Sequence, residues 1–342
     1  MMNIERPDLS SIPAEVVAYI EALEAELRER PEGVRNNRPA ALPDEPPTTK
    51  VIVTISRDGM IKRTPRHLYG RQRRGGMGVF DLDLSGEDAP VQLAHAEAED
   101  VLLLLTDDGR AFRLPLTSVP ESPVRARGSD LRDLVPLRSN ERIVGALPEG
   151  GGQYIVLLSK RGWIRRVQAA YLGKNLIPGT TFHDLKEGGP LVAACWSPGS
   201  GDLLLVSREG KAIRFMERQV PARGCLGIRL DPADEAVAVA AVGPEDGVFL
   251  LGEGGQGTIR LMSGFSANKA PGAGGKVVMK SERLVGAARV GEADELFVIS
   301  RLAKLIRFAA EEIPPKEGVV QGVACMSLRA DEAVAVAVAS QS

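Results

Sequence analysis

The 342-residue sequence predicts an all-β fold, six small sheets packed radially as a six-bladed propeller, preceded by a short helix and a linker. Three observations carry this reading. Six segments share one shape, an apolar strand, a turn and a second strand ending in arginine: VIVTISRDGMIKR (51–63), VLLLLTDDGRAFR (101–113), YIVLLSKRGWIRR (154–166), LLLVSREGKAIR (203–214), FLLGEGGQGTIR (249–260) and ELFVISRLAKLIR (295–307). Gly78, Gly128, Gly179, Gly227, Gly275 and Gly322 keep the same beat, each just before another short β-like run. The 37 glycines and 23 prolines, against 4% aromatics, point to many turns between many short elements. A repeat of roughly 48 residues holding four short strands cannot bury both faces of its sheet alone. Six such sheets around an axis bury each face against the next and leave only short edges.

The elements follow in chain order. Ser10 and Ser11 can cap a helix with Pro13 in its first turn, and Val16, Ile20, Leu23 and Leu27 recur at helical spacing, giving an amphipathic helix over roughly 13–30. Its apolar stripe either packs on its own domain or forms a short seam for self-association with a partner helix. From Pro31 to Pro47 the chain is rich in proline without apolar periodicity, a linker. Residues 1–49 therefore stand apart from a repeat domain at 50–342, with blades at about 50–98, 99–150, 151–200, 201–246, 247–293 and 294–342. A third run closes most units with an acidic residue and small apolar ones, as in Asp234-Glu235-Ala236-Val237 and Asp331-Glu332-Ala333-Val334.

Composition bounds the function. Apolar residues at 44% and charged residues at 26% are globular proportions, and no apolar run is long enough to span a membrane. With no signal-peptide core after Met1, the expected compartment is the cytoplasm. Cys195, Cys225 and Cys325 lie far apart in apolar runs, so they read as buried reduced thiols; no metal or cofactor is expected. The net charge of −2 does not advertise nucleic-acid binding, yet its distribution does. Residues 50–74 hold eight basic groups and one acidic group inside an otherwise mildly acidic chain.

That stretch contains Lys62, Arg63, Arg66, Arg71, Gln72, Arg73 and Arg74, and it runs on into Gly75, Gly76, Met77 and Gly78. The cations suit phosphates, and the glycines let backbone approach a ligand or a neighbouring blade. The heptapeptide Gln72–Gly78, QRRGGMG, resembles the QRRGGKG box of the DNA gyrase A C-terminal domain family and sits in the first repeat, where that family carries it. The similarity extends over VIVTISRDGMIKRTPRHLYGRQRRGGMGV, GKAIRF (210–215) and VVQGVACMSLRADEAVAV (319–336), covering about residues 50–340, and the topoisomerase IV C-terminal domain is a relative of that family. The resemblance implies a six-bladed β-pinwheel whose rim wraps duplex DNA, with box residues Gln72, Arg73, Arg74, Gly75, Gly76 and Gly78 joining the first and last blades. Met77 replaces the box lysine and so removes one phosphate contact. Residues 1–49 do not resemble the gyrase catalytic core, so the chain is not expected to cut DNA, and it ends at Ser342 without the acidic tail of some family members.

The six closing arginines, Arg63, Arg113, Arg166, Arg214, Arg260 and Arg307, form a second constellation. On radially arranged blades they could follow a bent duplex phosphate by phosphate, aided by Arg71, Arg125, Arg127, Arg161, Arg165, Lys211, Lys269 and Lys304. The alternative is that each pairs with an acidic group of a neighbouring blade. Gly252-Glu253-Gly254-Gly255-Gln256-Gly257 satisfies a dinucleotide-binding pattern literally but sits at a hairpin turn leading into a strand, and His183-Asp184 reads as a surface pair. The sequence thus predicts a non-enzymatic, sequence-tolerant binder of double-stranded DNA, nucleoid-associated and without a membrane segment. Such a module would serve a separately encoded gyrase or topoisomerase IV catalytic subunit. The rival is a propeller used as a protein-interaction scaffold, which the net charge of −2 favours.

Overall fold

A computed structural model of the chain describes residues 13, 16–17, 45–280 and 283–340. Of the helix expected over 13–30, only the amides of Val16 and Val17 are seen, donating to the Pro13 carbonyl at 2.9 and 3.1 Å. The rest of it, its self-association and most of the linker lie outside the described residues.

Each repeat begins with an antiparallel hairpin: Lys50–Ser56 with Met60–Pro65, Val101–Thr106 with Arg110–Pro115, Tyr154–Ser159 with Trp163–Gln168, Asp202–Ser207 with Lys211–Met216, Gly247–Gly252 with Gln256–Leu261, and Glu295–Ser300 with Lys304–Ala309. The first strand of each hairpin pairs with an inner strand near the axis: Pro90–Glu97, Ile143–Pro148, Leu191–Ser197, Ala236–Val242, Leu284–Val290 and Ala333–Ala339. The second pairs with an outer strand of two residues that comes from the following repeat. Ser129–Asp130 completes the first blade, Thr180–Thr181 the second, Cys225–Leu226 the third, Lys276–Val277 the fourth and Val323–Ala324 the fifth. Val79–Phe80, from the first repeat, completes the sixth, so the ring is closed by strand exchange. A blade is therefore not one contiguous segment.

Apolar clusters fill all six junctions between successive blades. Val53, Ile61, Leu102 and Phe112 pack between the first and second, and Ile52, Tyr69, Phe297, Ile299 and Leu305 between the sixth and first. Side-chain size follows distance from the axis. Leucines and phenylalanines of the hairpins occupy the wider outer part of each junction, whereas the inner strands of the fourth and sixth blades read AVAVAAV and AVAVAVA, because converging sheets favour small residues there. These inner strands line a central channel of about 700 Å³.

One polar device recurs. Ser56, Thr106, Ser159, Ser207 and Ser300 end the first strands, and each buried hydroxyl accepts the amide of the residue opening the second strand at 3.0–3.3 Å. In the fifth repeat Gly252 stands there, and its turn to Gln256 is as long as the others. Among the described residues no helix is long and apolar enough to cross a membrane.

Ala238→Leu, on an inner strand, adds apolar surface yet is expected to destabilise the ring by about 1–3 kcal/mol through overpacking. A denaturant titration against the parent chain checks this; a neutral outcome contradicts the taper.

Candidate nucleic-acid interface

The box runs across the outer edge of the sixth blade as part of the ring closure. The Gln72 amide donates to the Arg307 carbonyl at 2.8 Å and the Gly75 amide to Cys325 at 2.7 Å, while the Gly76 carbonyl accepts from Ser327 at 2.9 Å. Val79 and Phe80 then pair with Leu305 and Lys304. Two glycines are required by this route. Gly75 and Gly78 hold φ at +80° and +71°, and a Cβ on Gly78 would stand 2.6 Å from the Leu305 carbonyl oxygen.

Box side chains divide between closure and solvent. Arg71 grips the Glu295 carboxylate through Nε and Nη2 at 2.7 and 2.5 Å. Arg74 donates to the Glu312 and Ala324 carbonyls at 2.9 and 3.2 Å while its amide meets the Glu312 carboxylate. Arg73 is exposed, and its side chain makes no hydrogen bond or ion pair among the described residues. Met77 is 55% exposed.

Two basic residues expected to meet phosphates are internal. Lys62 is fully buried and ion-paired with Asp81, whose carboxylate also accepts from the Tyr69 hydroxyl at 2.5 Å and Thr54 at 2.7 Å. Burial pulls the Lys62 ammonium below its ordinary pKa, opposed by the Asp81 charge. Arg66 is held by Glu45, which also lies 2.6 Å from Arg307. Thus residue 45, just before the first blade, is pinned at the junction of the first and last.

The closing arginines do not form an outer track. Arg63, Arg113, Arg166, Arg214 and Arg307 share one register position, opposite Val53, Leu103, Val156, Leu204 and Phe297, and face the next blade's side of their sheet. Arg63 donates to the Ala98 carbonyl at 3.0 Å, Arg113 to Glu149, and Arg166 to Glu217 at 3.4 Å and the Val220 carbonyl at 3.2 Å. Arg214 bonds Asp202 at 2.8 Å and the Met262 and Phe265 carbonyls of the following repeat at 2.7 and 3.1 Å. Arg307 pairs with Glu295 and reaches the Arg66 and Tyr69 carbonyls across the closure. Arg166, Arg214 and Arg307 thus tie neighbouring blades, while Arg63 and Arg113 bind groups of their own repeats, because the outer end of each junction presents carboxylates and carbonyls that need donors.

Arg260 breaks the row. It stands one residue further along the second strand, opposite Val248 rather than at the shared position, so it faces the fourth blade instead of the sixth. It is 5% exposed, donates to the Gly264 carbonyl at 3.0 Å and lies over the Phe265 ring at 5.8 Å. Seven residues separate the strand-ending Ser or Thr from the arginine elsewhere, and eight separate Gly252 from Arg260; that count was the available signal.

Arg125, Arg127 and Lys269 are exposed on loops that lead into outer strands, and Arg161 is exposed in the turn of the third hairpin; Arg165 is half-buried and bonded to the Ala222 and Phe182 carbonyls, Lys211 is paired with Asp231, and Lys304 lies over the Phe80 ring at 5.4 Å. Sequence reasoning missed exposed Lys174, Arg218, Arg223 and Lys316. They occupy the segment between closing arginine and periodic glycine that holds the box in the first repeat, so the period itself could have found them. Every such segment carries at least one exposed cation. His183, read as a surface residue, is buried with Nε2 2.7 Å from the Gly189 carbonyl, while Asp184 caps the short helix Leu185–Gly188.

These features define a class, a closed propeller built by exchange of outer strands, with a glycine-bearing basic box at its seam. The chain belongs to the DNA gyrase A C-terminal domain family: the family model described as "DNA gyrase C-terminal domain, beta-propeller" matches residues 50–89, 100–148, 201–242 and 294–340. The DNA gyrase A protein of Mycolicibacterium smegmatis is 29% identical over 304 residues, covering 84% of this chain and 36% of that protein. The gyrase A protein of Escherichia coli is 28% identical over 295 residues, covering 83% and 34%. The chain spans about a third of the length of these relatives. In fold it is similar to a solved DNA gyrase A C-terminal domain, with TM-score 0.76 at 22% identity over 84% of this chain and 99% of that one. A DNA topoisomerase IV C-terminal domain gives 0.60 at 19% identity over 84% and 93%.

The seam has a pH signature. Burial first, then the Arg66 and Lys50 charges, lower the pKa of His95 from 6.5 to about 4. Between these values the unfolded chain binds a proton that the folded chain does not, so stability falls as pH drops from about 6.5 to about 4. Burial raises the Glu45 pKa, but hydrogen bonds from Arg66 and Arg307 outweigh it and leave the carboxyl below its ordinary value, extending the loss to lower pH. Denaturant midpoints at pH 7 and pH ~4.5 should converge in His95→Gln relative to the parent.

Proposed function

We propose that this chain is a sequence-tolerant module that binds duplex DNA along its rim and bends or wraps it, contributing no cleavage chemistry of its own. It would supply this rim to a separately encoded type IIA topoisomerase core, on the nucleoid in the cytoplasm. The observation that carries the reading is the exposed cation on every segment leading into an outer strand, with Arg73 of the box at the seam. Phosphate contacts at similar radius on six blades hold a duplex without reading its bases. The family's description as a DNA gyrase domain supports the same direction.

A protein-interaction scaffold is the second reading. It is favoured by the net charge of −2 and by the arginines spent between blades, which leave fewer free cations than the sequence advertises. Binding of random-sequence duplexes across a salt series separates the two: a phosphate binder loses affinity linearly in log–log form, and a scaffold forms no complex. Ligation of nicked plasmid in the presence of the protein reads wrapping as a trapped linking difference.

Arg73→Ala is expected to lower the salt slope by about 0.9, one phosphate contact, without altering the melting temperature. Met77→Lys, at an exposed position, should raise the slope by a similar amount and tighten binding, at a stability change within about 0.5 kcal/mol. Arg214→Ala should instead lower the melting temperature, since it leaves the Asp202 carboxylate and two carbonyls without their donor. Thermal melts run beside the salt series check all three.

A further inference from the structure

Phe80 is an exposed aromatic side chain on the ring-closing strand. It is the second residue of the ring-closing strand; alternation sends Val79 into the junction of the sixth and first blades and Phe80 outward, 50% exposed. The corresponding outward residues of the other outer strands are Asp130, Thr181, Leu226, Val277 and Ala324, none of which carries a ring. Its cross-strand neighbour also differs. Lys304 lies over the Phe80 ring and has no carboxylate partner among the described residues, whereas the corresponding Lys211 and Arg110 are neutralised by Asp231 and Glu141. Exposed Met77 adds apolar surface three residues earlier, and unpaired Arg73 precedes it.

The strand beneath is held firmly. The Gly75 amide and Gly76 carbonyl are bonded on one side of it, the Asp81 amide donates to the Ala303 carbonyl at 2.8 Å on the other, and the Asp81 carboxylate is anchored by Lys62, Tyr69 and Thr54. A large apolar side chain on a rigid base, flanked by free cations, has the chemistry of a wedge: apolar groups entered between base pairs unstack a step and kink the duplex while neighbouring cations hold the phosphates.

We propose that Phe80 inserts into a base step of the bound duplex where it passes the seam, kinking it there, with Lys304 and Arg73 on the flanking phosphates. The proposal rests on the DNA-binding reading. It is compatible with sequence tolerance, because a wedge selects only for easily unstacked pyrimidine–purine steps.

The test uses the full chain on long random-sequence duplexes, with permanganate to report unstacked thymines. The complex is expected to show reactive thymines enriched at TA steps. Phe80→Ala should return reactivity to that of free duplex, reduce the trapped linking difference and weaken binding by no more than about tenfold with an unchanged salt slope. Phe80→Leu should retain reactivity, and Lys304→Ala should lower the slope by about 0.9 while reactivity persists. Steep salt-dependent binding without reactive thymines overturns the wedge and leaves the DNA reading standing, as does reactivity that survives Phe80→Ala. Loss of self-association in Phe80→Ala, with DNA behaviour intact, overturns it in favour of a contact between copies. Absence of any complex with the parent chain overturns the DNA reading and the wedge with it.

Discussion

Because each blade receives its outermost strand from the repeat that follows, no sheet is complete within its own sequence, and the last can be completed only by the first. Most other features of the molecule answer to this exchange. The segment that crosses from one hairpin to the neighbouring blade must run close to another backbone, hence the glycine ahead of the outer strand; the junction it crosses needs donors at its outer end, hence the arginine at a fixed register. At the seam these demands meet in the box, whose backbone is bonded to the sixth repeat on both sides of Gly75 and Gly76. The box is a closure first, and whatever it offers to a ligand is offered from that fixed position.

The same constraint divides the cations. Of the basic residues between Lys50 and Arg74, Lys62, Arg63, Arg66 and Arg71 are engaged with Asp81, Ala98, Glu45 and Glu295. Removing one partner of a fully buried pair such as Lys62–Asp81 typically costs about 3–5 kcal/mol, because the other charge is left without compensation. These side chains are therefore unavailable for exchange with phosphates. The field at the surface comes from a sparser set on the outer loops, which reconciles a basic rim with a net charge of −2.

Much of the fold was legible because a repeat repeats its physics: six hairpins, six glycines and one period led to six sheets. The exchange of outer strands was not, since a two-residue strand such as Val79–Phe80 leaves almost no period-2 signal and nothing in it names its partner. The box was legible as a motif, and its glycines as close-approach positions. The inward arginines were not, because a strand residue's face alternates with its place along the strand: Arg260 stands one residue further from its turn than Arg214 and so falls on the opposite face. Lys62 was unreadable for another reason, as its partner Asp81 lies 19 residues on, beyond the box.

The seam also fixes an order of events during synthesis. Phe80 leaves the ribosome early, yet Lys304, its partner in the sixth blade, follows more than two hundred residues later. At translation rates of roughly 5–20 residues per second, the first closing strand waits on the order of ten to forty-five seconds for its acceptor. During that interval Phe80 has no strand of the sixth blade to pair with, since that hairpin has not yet been made. Closure is the least local strand pairing among the described residues, and a nascent chain that stalls before residue 304 lacks the acceptor of the strand near its beginning.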